Sequence, residues 1–373
     1  MYPGSAEPPI GWRVWSIAYA VGHSLTIHLD RIADPSFPSS SSDRLSQLTN
    51  ERSPKSLESP PTEIGEAWEK LNQVSGMLRT VIRGKADVIE LVLTSLLAEG
   101  SILLEDVPGV GKTTLAKSVS RLIDLEYQRI QCTPDLLPGD ILGGSIYRPA
   151  IGEFEFRPGP VFCNLLVADE INRASPRTQS ALLEAMAETQ VTIEGRRYDL
   201  KHPFMVIATQ NPAGFEGTFP LPESQLDRFL FRTKMEYPDA ASEVNLLLEQ
   251  SDHEPVSRLS AVMHVEDLIV LQRWVRSITV SRKVATYVVA LATATRQDAR
   301  LRVGCSPRGC KMLLRAAQAH AGLQGRDFVL PDDVQHLAPV VLGHRVSSRH
   351  GVSSLDETKQ VIESIVGQTA IPV

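Results

Sequence analysis

The stretch Ser101-Ile-Leu-Leu-Glu-Asp-Val-Pro-Gly-Val-Gly-Lys-Thr-Thr-Leu-Ala-Lys-Ser-Val-Ser120 decides how this chain is read. Ile102 to Leu104 is a short apolar run of the kind a buried strand makes. From Lys112 onward, Leu115, Val119 and Leu122 recur at helical spacing. Between them lie Pro108, Gly109, Val110, Gly111, Lys112, Thr113 and Thr114. A strand, a glycine-bearing loop, Gly-Lys-Thr and then a helix is the phosphate-loop arrangement. Loop N–H groups and the positive end of the helix face an anion there. Lys112 adds a point charge for the β- and γ-phosphates, and Thr113 offers its hydroxyl to Mg²⁺. The general pattern asks for Gly at position 106, where this chain has Asp106. The dinucleotide fingerprint fits less well, because Thr114 stands where it wants Gly or Ala.

The 373 residues suffice for two domains. A net charge of −6 argues against a general nucleic-acid binder. Cys132, Cys163, Cys305 and Cys310 lack paired C-x-x-C spacing, which predicts reduced thiols in a cytoplasmic protein.

Residues 1–62 read as a disordered, dispensable tail, compatible with an over-long start assignment. Arg13, His23 and His28 interrupt the apolar stretch Gly11 to Leu29, so no membrane span is expected. No signal-peptide pattern is present. Ser and Pro make up half of Pro35 to Thr62, a composition that buries no core.

Residues 63–237 carry the α/β pattern. Ile64, Trp68, Leu71, Val74, Leu78 and Val81 predict an amphipathic helix ended by Gly84, with a second helix over Asp87 to Ala98. Tyr127 to Cys132 predicts a strand. Leu136 to Pro160, rich in Gly and Pro, reads as an insertion with one short strand at Glu153 to Phe156. Asn164 to Ala168 is apolar enough for a buried strand, and its carboxyl end delivers Asp169 and Glu170. Ligands sit outside the carboxyl ends of such strands. Asp169 can therefore reach Mg²⁺ and Glu170 can polarise the attacking water. A helix over Ala174 to Ala187, a hairpin over Thr189 to Leu200 around Gly195, and a strand over Phe204 to Thr209 follow. The last strand ends in Gln210-Asn211-Pro212, placing an amide beside the acids. Leu221 to Phe229 predicts a short helix that carries Arg228.

Residues 238–373 predict helices only: Ala240 to Glu249, Val265 to Val275, Ser281 to Thr295, Pro307 to Ala321 and Pro331 to Leu342. Ser306 is a suitable N-cap, Pro307 fits the first turn, and Arg308 follows. Arg296, Arg300, Arg302, Arg308, Lys311 and Arg315 make this region locally basic. No aromatic platform interleaves with them, which disfavours a nucleic-acid patch.

Taken together, Leu-Glu-Asp-Val-Pro-Gly-Val-Gly-Lys-Thr, Ala-Asp-Glu-Ile-Asn-Arg-Ala, Ala-Thr-Gln-Asn-Pro and Leu-Pro-Glu-Ser-Gln-Leu-Asp-Arg-Phe resemble the AAA+ ATPases, and within them the MoxR family. The resemblance covers roughly Trp68 to Val366. It implies a five-stranded parallel sheet between helices, followed by an all-helical lid. It implies that Lys112 and Thr113 form Walker A, that Asp169 and Glu170 form Walker B, that Asn211 is sensor 1 and that Arg308 is sensor 2. Arg228 is the expected arginine finger, acting in trans, so ATP hydrolysis implies a homo-oligomeric ring, expected to be a hexamer. The family resemblance further implies a chaperone-like role on client proteins or metalloenzyme complexes, often beside a von Willebrand A domain protein. Alternatives are the related rubisco- and nitric-oxide-reductase-activating subfamily, the magnesium chelatase ATPase subunit, a DNA motor, and a nucleotide-binding scaffold without hydrolysis. The intact Asp169-Glu170 pair disfavours the scaffold. A transcription activator is disfavoured by the lack of a Gly-Ala-Phe-Thr-Gly-Ala loop.

Overall fold

A computed structural model describes residues 62–105, 111–150, 152–211, 217–237, 244, 255–349 and 354–371. The tail, Asp106, Pro108, Gly109, Val110, Pro212 and nearly all of the expected helix Ala240 to Glu249 lie outside the described residues.

The chain begins with two helices, α1 (Thr62–Val81) and α2 (Ala86–Leu97). Leu71, Val74 and Leu78 of α1 are buried, as their spacing predicts. Gly84 separates the helices at φ +70°, a left-handed conformation that a glycine adopts without steric cost. Strand β1 (Ile102–Glu105) leads to α3 (Lys112–Leu122), and β2 (Tyr127–Gln131) follows. The insertion holds α4 (Pro138–Leu142) and a two-stranded hairpin of β3 (Gly143–Arg148) and β4 (Glu153–Pro158), where sequence predicts one strand. Next come β5 (Leu165–Asp169), a single 3-10 turn at Ile171–Arg173, and α5 (Pro176–Glu188). Ser175 caps α5 by accepting the Thr178 N–H, and Pro176 opens it. Strands β6 (Gln190–Ile193) and β7 (Arg196–Asp199) form the expected hairpin. Strand β8 (Met205–Gln210), the one-turn α6 (Glu223–Leu226) and β9 (Phe231–Thr233) complete this part. Arg228 lies beyond the end of α6 rather than on it.

β2, β5, β8, β1 and β9 form one sheet in that order, and every pairing is parallel. Sequence reading identified four of these strands and missed β9. Alternation sends successive side chains to opposite faces. Ile102, Leu104, Leu165, Val167, Met205 and Ile207 enter one apolar core, and Leu103, Leu166, Ala168, Val206 and Ala208 enter another.

The C-terminal part consists of α7 (Val265–Ser277), α8 (Arg282–Gln297), α9 (Pro307–Leu323), α10 (Pro331–Leu342) and α11 (Leu355–Gln368). Among the described residues it is helical apart from one small antiparallel pair, β10 (Leu301–Val303) with β11 (Ser347–Ser348), and an isolated parallel bridge between Thr279 and Phe328, neither of which the expectation of helices only included. Ser306 accepts the Gly309 N–H at 3.1 Å and caps α9 as expected. These helices share the first core with α1 and α2. The Trp68 indole donates to Gly322 O at 3.1 Å, and Gln272 donates to Leu96 O at 2.7 Å.

Candidate active site

Parallel pairing brings the carboxyl ends of β1, β8 and β5 to one edge of the sheet. In register, Glu105 stands beside Gln210, and Ala168 beside Ala208. Beyond β1, Gly111 sits at φ +93° as the residue before α3. A side chain there would be strained, so glycine suits the turn. No side chain caps α3, and its first turn carries no acid. Lys112, Thr113 and Thr114 form that turn. A helix N-terminus that no side chain caps, with a lysine and no carboxylate in its first turn, fits a phosphate. Thr113 and Asp169 supply hydroxyl and carboxylate oxygens, the hard donors Mg²⁺ takes, so the donor set fits that ion.

Asp169 ends β5 and is buried. Arg129 on β2 donates through Nε to Asp169 Oδ2 at 2.6 Å, and the Thr209 hydroxyl donates to Oδ1 at 3.3 Å. Glu170 follows with φ +56°, a left-handed conformation uncommon outside glycine. Its N–H donates to Thr209 Oγ1 at 2.9 Å, which fixes that backbone. Its carboxylate accepts from Arg173 Nη1 at 3.0 Å. Thr209 thus touches both acids from the neighbouring strand. Asn211 is held by Asn172, whose Nδ2 donates to Asn211 O at 3.1 Å and whose Oδ1 accepts the Asn211 N–H at 3.4 Å. Buried Gln179 donates to Ile171 O, Ala174 O and Phe219 O, stitching α5 to the loops around the site. Burial, reinforced by the charges of Asp169 and Glu170, pushes the Cys132 thiol up to about 12, so it stays protonated and unreactive.

Asp169, Glu170 and Asn211 therefore share one edge with the start of α3. Asn211 and Gln210 line a cleft of about 680 Å³ together with Arg302, His344 and Arg349. Arg228 lies elsewhere. It donates to Leu183 O at 3.1 Å and lines a different cleft with Glu184, Glu188 and Arg197. Arg308 pairs through Nε with Asp227 Oδ2 at 3.4 Å. Asp227 also accepts from Arg345 Nε at 3.0 Å. Arg345 is buried and donates to Leu230 O at 3.2 Å and to Val341 O, Phe229 O and Asp227 O. Burial lowers its pKa to about 10, with Asp227 opposing the fall, so it remains charged at neutral pH.

Sequence reasoning gave Arg129, Arg173, Asn172, Thr209 and Arg345 no role. Asn172 and Arg173 stand in the motif Ala-Asp-Glu-Ile-Asn-Arg-Ala, and that was the available signal. Arg129 and Arg345 have partners far off in sequence and gave none.

A phosphate-loop helix start, two acids at a strand end and an amide just past the end of the neighbouring strand define an ATPase of the AAA type. Residues 101–231 match the ATPase family associated with various cellular activities (AAA), and residues 293–365 match the AAA lid domain. The chain is 46% identical over 312 residues to the uncharacterized protein YeaC of Bacillus subtilis, covering 83% of this chain and 95% of that one. It is 38% identical over 305 residues to Chaperone MoxR1 of Mycobacterium tuberculosis, covering 79% and 80%. The crystal structure of a Cytophaga hutchinsonii protein classed as an ATPase superposes with a TM-score of 0.76 at 36% identity, covering 83% of this chain and 97% of that one. The chain belongs to the MoxR family of AAA+ ATPases and is an ATP-hydrolysing enzyme. Among the described residues, no helix is long and apolar enough to cross a membrane.

Proposed function

We propose that this ATPase is Mg²⁺-dependent, works in the cytoplasm as a homo-oligomeric ring of six subunits, and remodels or matures a client protein or metalloenzyme complex, beside a von Willebrand A domain partner. In this reading residues 63–237 are the motor, 238–373 its lid, and 1–62 a tail that the motor does not need. The observation that carries the reading is the shared sheet edge of Lys112, Thr113, Asp169, Glu170 and Asn211. The likeness to Chaperone MoxR1 supports the client-directed role.

Lys112 and the first-turn N–H groups of α3 bind the phosphates. Thr113 and Asp169 hold Mg²⁺, which when bound neutralises developing charge on the phosphoryl oxygens. Glu170 accepts a hydrogen bond from the attacking water and polarises it, while Arg173 fixes the direction of its carboxylate. The Asn211 amide orients the γ-phosphate side. Arg308 reaches from the lid to nucleotide. Arg228 completes the neighbouring subunit's site, which suits its distance from this chain's acids.

The test mixes two inactive proteins. Glu170→Gln keeps shape but loses the carboxylate. Arg228→Ala loses a charge whose contribution is about 10³–10⁵ in rate where such fingers act. Each alone should hydrolyse ATP poorly, and their mixture should regain part of the activity, because some interfaces then pair an intact Glu170 with an intact Arg228. Normal turnover by Arg228→Ala alone would sink the role of that residue, and with it the main argument for a shared site.

A further inference from the structure

Glu90 on α2, His320 on α9 and His336 on α10 converge on one point, and none of them takes part in the site above. Glu90 Oε1 lies 3.2 Å from His320 Nε2 and 3.0 Å from His336 Nε2. One ligand atom from each residue lies within 4.8 Å of the others. On its far side, His320 Nδ1 stands 2.6 Å from Asp333 Oδ1. Asp333 is itself fixed: Arg326 donates to both of its oxygens at 2.8 and 2.6 Å, and the Leu330 N–H donates at 2.8 Å. Asp333 is almost fully buried. An ionised carboxylate only accepts, so Nδ1 carries the proton. The remaining nitrogen, Nε2, faces a second carboxylate oxygen, that of Glu90. Two carboxylates flanking one ring call for a positive charge there, which either a second ring proton or a metal ion at Nε2 can supply.

We propose that this charge is a divalent transition-metal ion, Zn²⁺ by preference, held by Glu90, His320 and His336. Zinc binds imidazole nitrogen and carboxylate oxygen at about 2.0–2.2 Å, and a tetrahedron of such bonds sets its ligand atoms about 3.3 Å apart. The two measured separations are close to that edge. Imidazole ligands select zinc-like ions over Mg²⁺ and Ca²⁺, which take oxygen. Asp333 supplies the outer carboxylate that metal-bound histidines commonly have, orienting the ring and raising its basicity. His336 is 57% exposed, so the fourth position opens to water. The ligands come from the helix preceding β1 and from two helices of the C-terminal part. The ion would pin these three helices together and stiffen the α2–α9–α10 junction.

The experiment uses the full chain free of added histidines, stripped by a chelator and then titrated with Zn²⁺ by calorimetry and with Co²⁺ by visible absorption. One equivalent should bind, Co²⁺ should show the d–d bands of low coordination, and Zn²⁺ should raise the melting temperature. His336→Ala, at an exposed position that tolerates truncation, and Glu90→Gln should each weaken Zn²⁺ binding at least tenfold and abolish the melting shift. Both variants keep all four cysteines and the histidines of residues 1–61, so binding at those residues cancels in the comparison. Equal Zn²⁺ binding by the wild type and His336→Ala, or no saturable binding by the wild type, would show that a proton fills the gap and overturn the proposal. Neither readout depends on ATP turnover.

Discussion

On one face of the sheet, Ile102, Leu104, Val167 and Ile207 share a core with α1, α2, α3 and the C-terminal helices. On the other, Leu103, Leu166, Val206 and Ala208 pack with α5, Val191 of the hairpin and Ile141 of the insertion. Both sets come from the same strands, one residue apart. The first face is continuous with the lid helices, so movement of those helices has to pass through well-packed apolar side chains. The second carries the two hairpins, β3–β4 and β6–β7, which project exposed surface, with Ile146, Tyr147 and Phe154 of the first among it. The edge that holds Asp169, Glu170 and Asn211 lies between the two. A change at that edge therefore has two outlets, a stiff one toward the lid and a more exposed one toward the hairpins.

The largest expected effect comes from Arg345, which ties the lid side to the loop after α6. Arg345→Ala removes the guanidinium from Asp227 and from three other backbone carbonyls. Breaking one partner of a buried pair costs about 3–5 kcal/mol, and urea unfolding should show a loss of that size. Arg345→Lys should recover only part of it, since an ammonium cannot reproduce the fork. A loss under 1 kcal/mol for the alanine variant would mean that Arg345 is not what holds the lid side to the loop after α6.

The next effect separates the two faces directly. Leu337 on α10 and Leu182 on α5 are both essentially unexposed. Each truncation to alanine should cost about 2–5 kcal/mol. Hydrogen exchange should then tell them apart. Leu337→Ala should loosen amides of α1 and α2 as well as the lid, because they share one core. Leu182→Ala should leave the lid protected. Identical exchange patterns in the two variants would show that the faces are not separate units.

The smallest effect lies at the insertion. Phe154 is 72% exposed, and its ring meets Tyr147 with centroids 5.2 Å apart. Phe154→Ala should change stability by less than about 0.5 kcal/mol and leave ATP turnover of the isolated protein unaltered, measured side by side with wild type. A larger loss would move this hairpin from the periphery into the load carried by the second face.

Much of this was legible in residues alone. β1, β5 and β8 are apolar runs ending at polar residues, and that pattern both located the strands and placed Asp169, Glu170 and Asn211 at their ends. β9 was missed because it is only Phe-Arg-Thr, with a charge at its centre. The structure explains the charge: Arg232 pairs with Glu105 at 2.8 Å on the neighbouring strand. β3 was missed because it opens Gly143-Gly144-Ser145, which reads as a turn. The arginines that pair with Asp169 and Asp227 were illegible for a different reason. Arg129 and Arg345 meet partners 40 and 118 residues away, and no local period reports such a pairing. Asp227 shows the same limit: it stands within a quoted motif, yet its bonds to Arg308 and Arg345 depend on how the chain returns.

Glu170 holds a backbone conformation that side-chain-bearing residues adopt at a cost of roughly 1–3 kcal/mol. Glycine would sit there at ease. The position is therefore one where the residue best for the fold is the residue that cannot touch water as an acid. Under the mechanism proposed above, a glycine there would leave a quieter protein, one that grips nucleotide and never releases its energy. Glu99, Glu194 and Glu236 bear the same twist elsewhere in the chain, so it is the place of Glu170 at the end of β5, and the water-polarising role proposed for it there, that would turn the strain to the service of turnover.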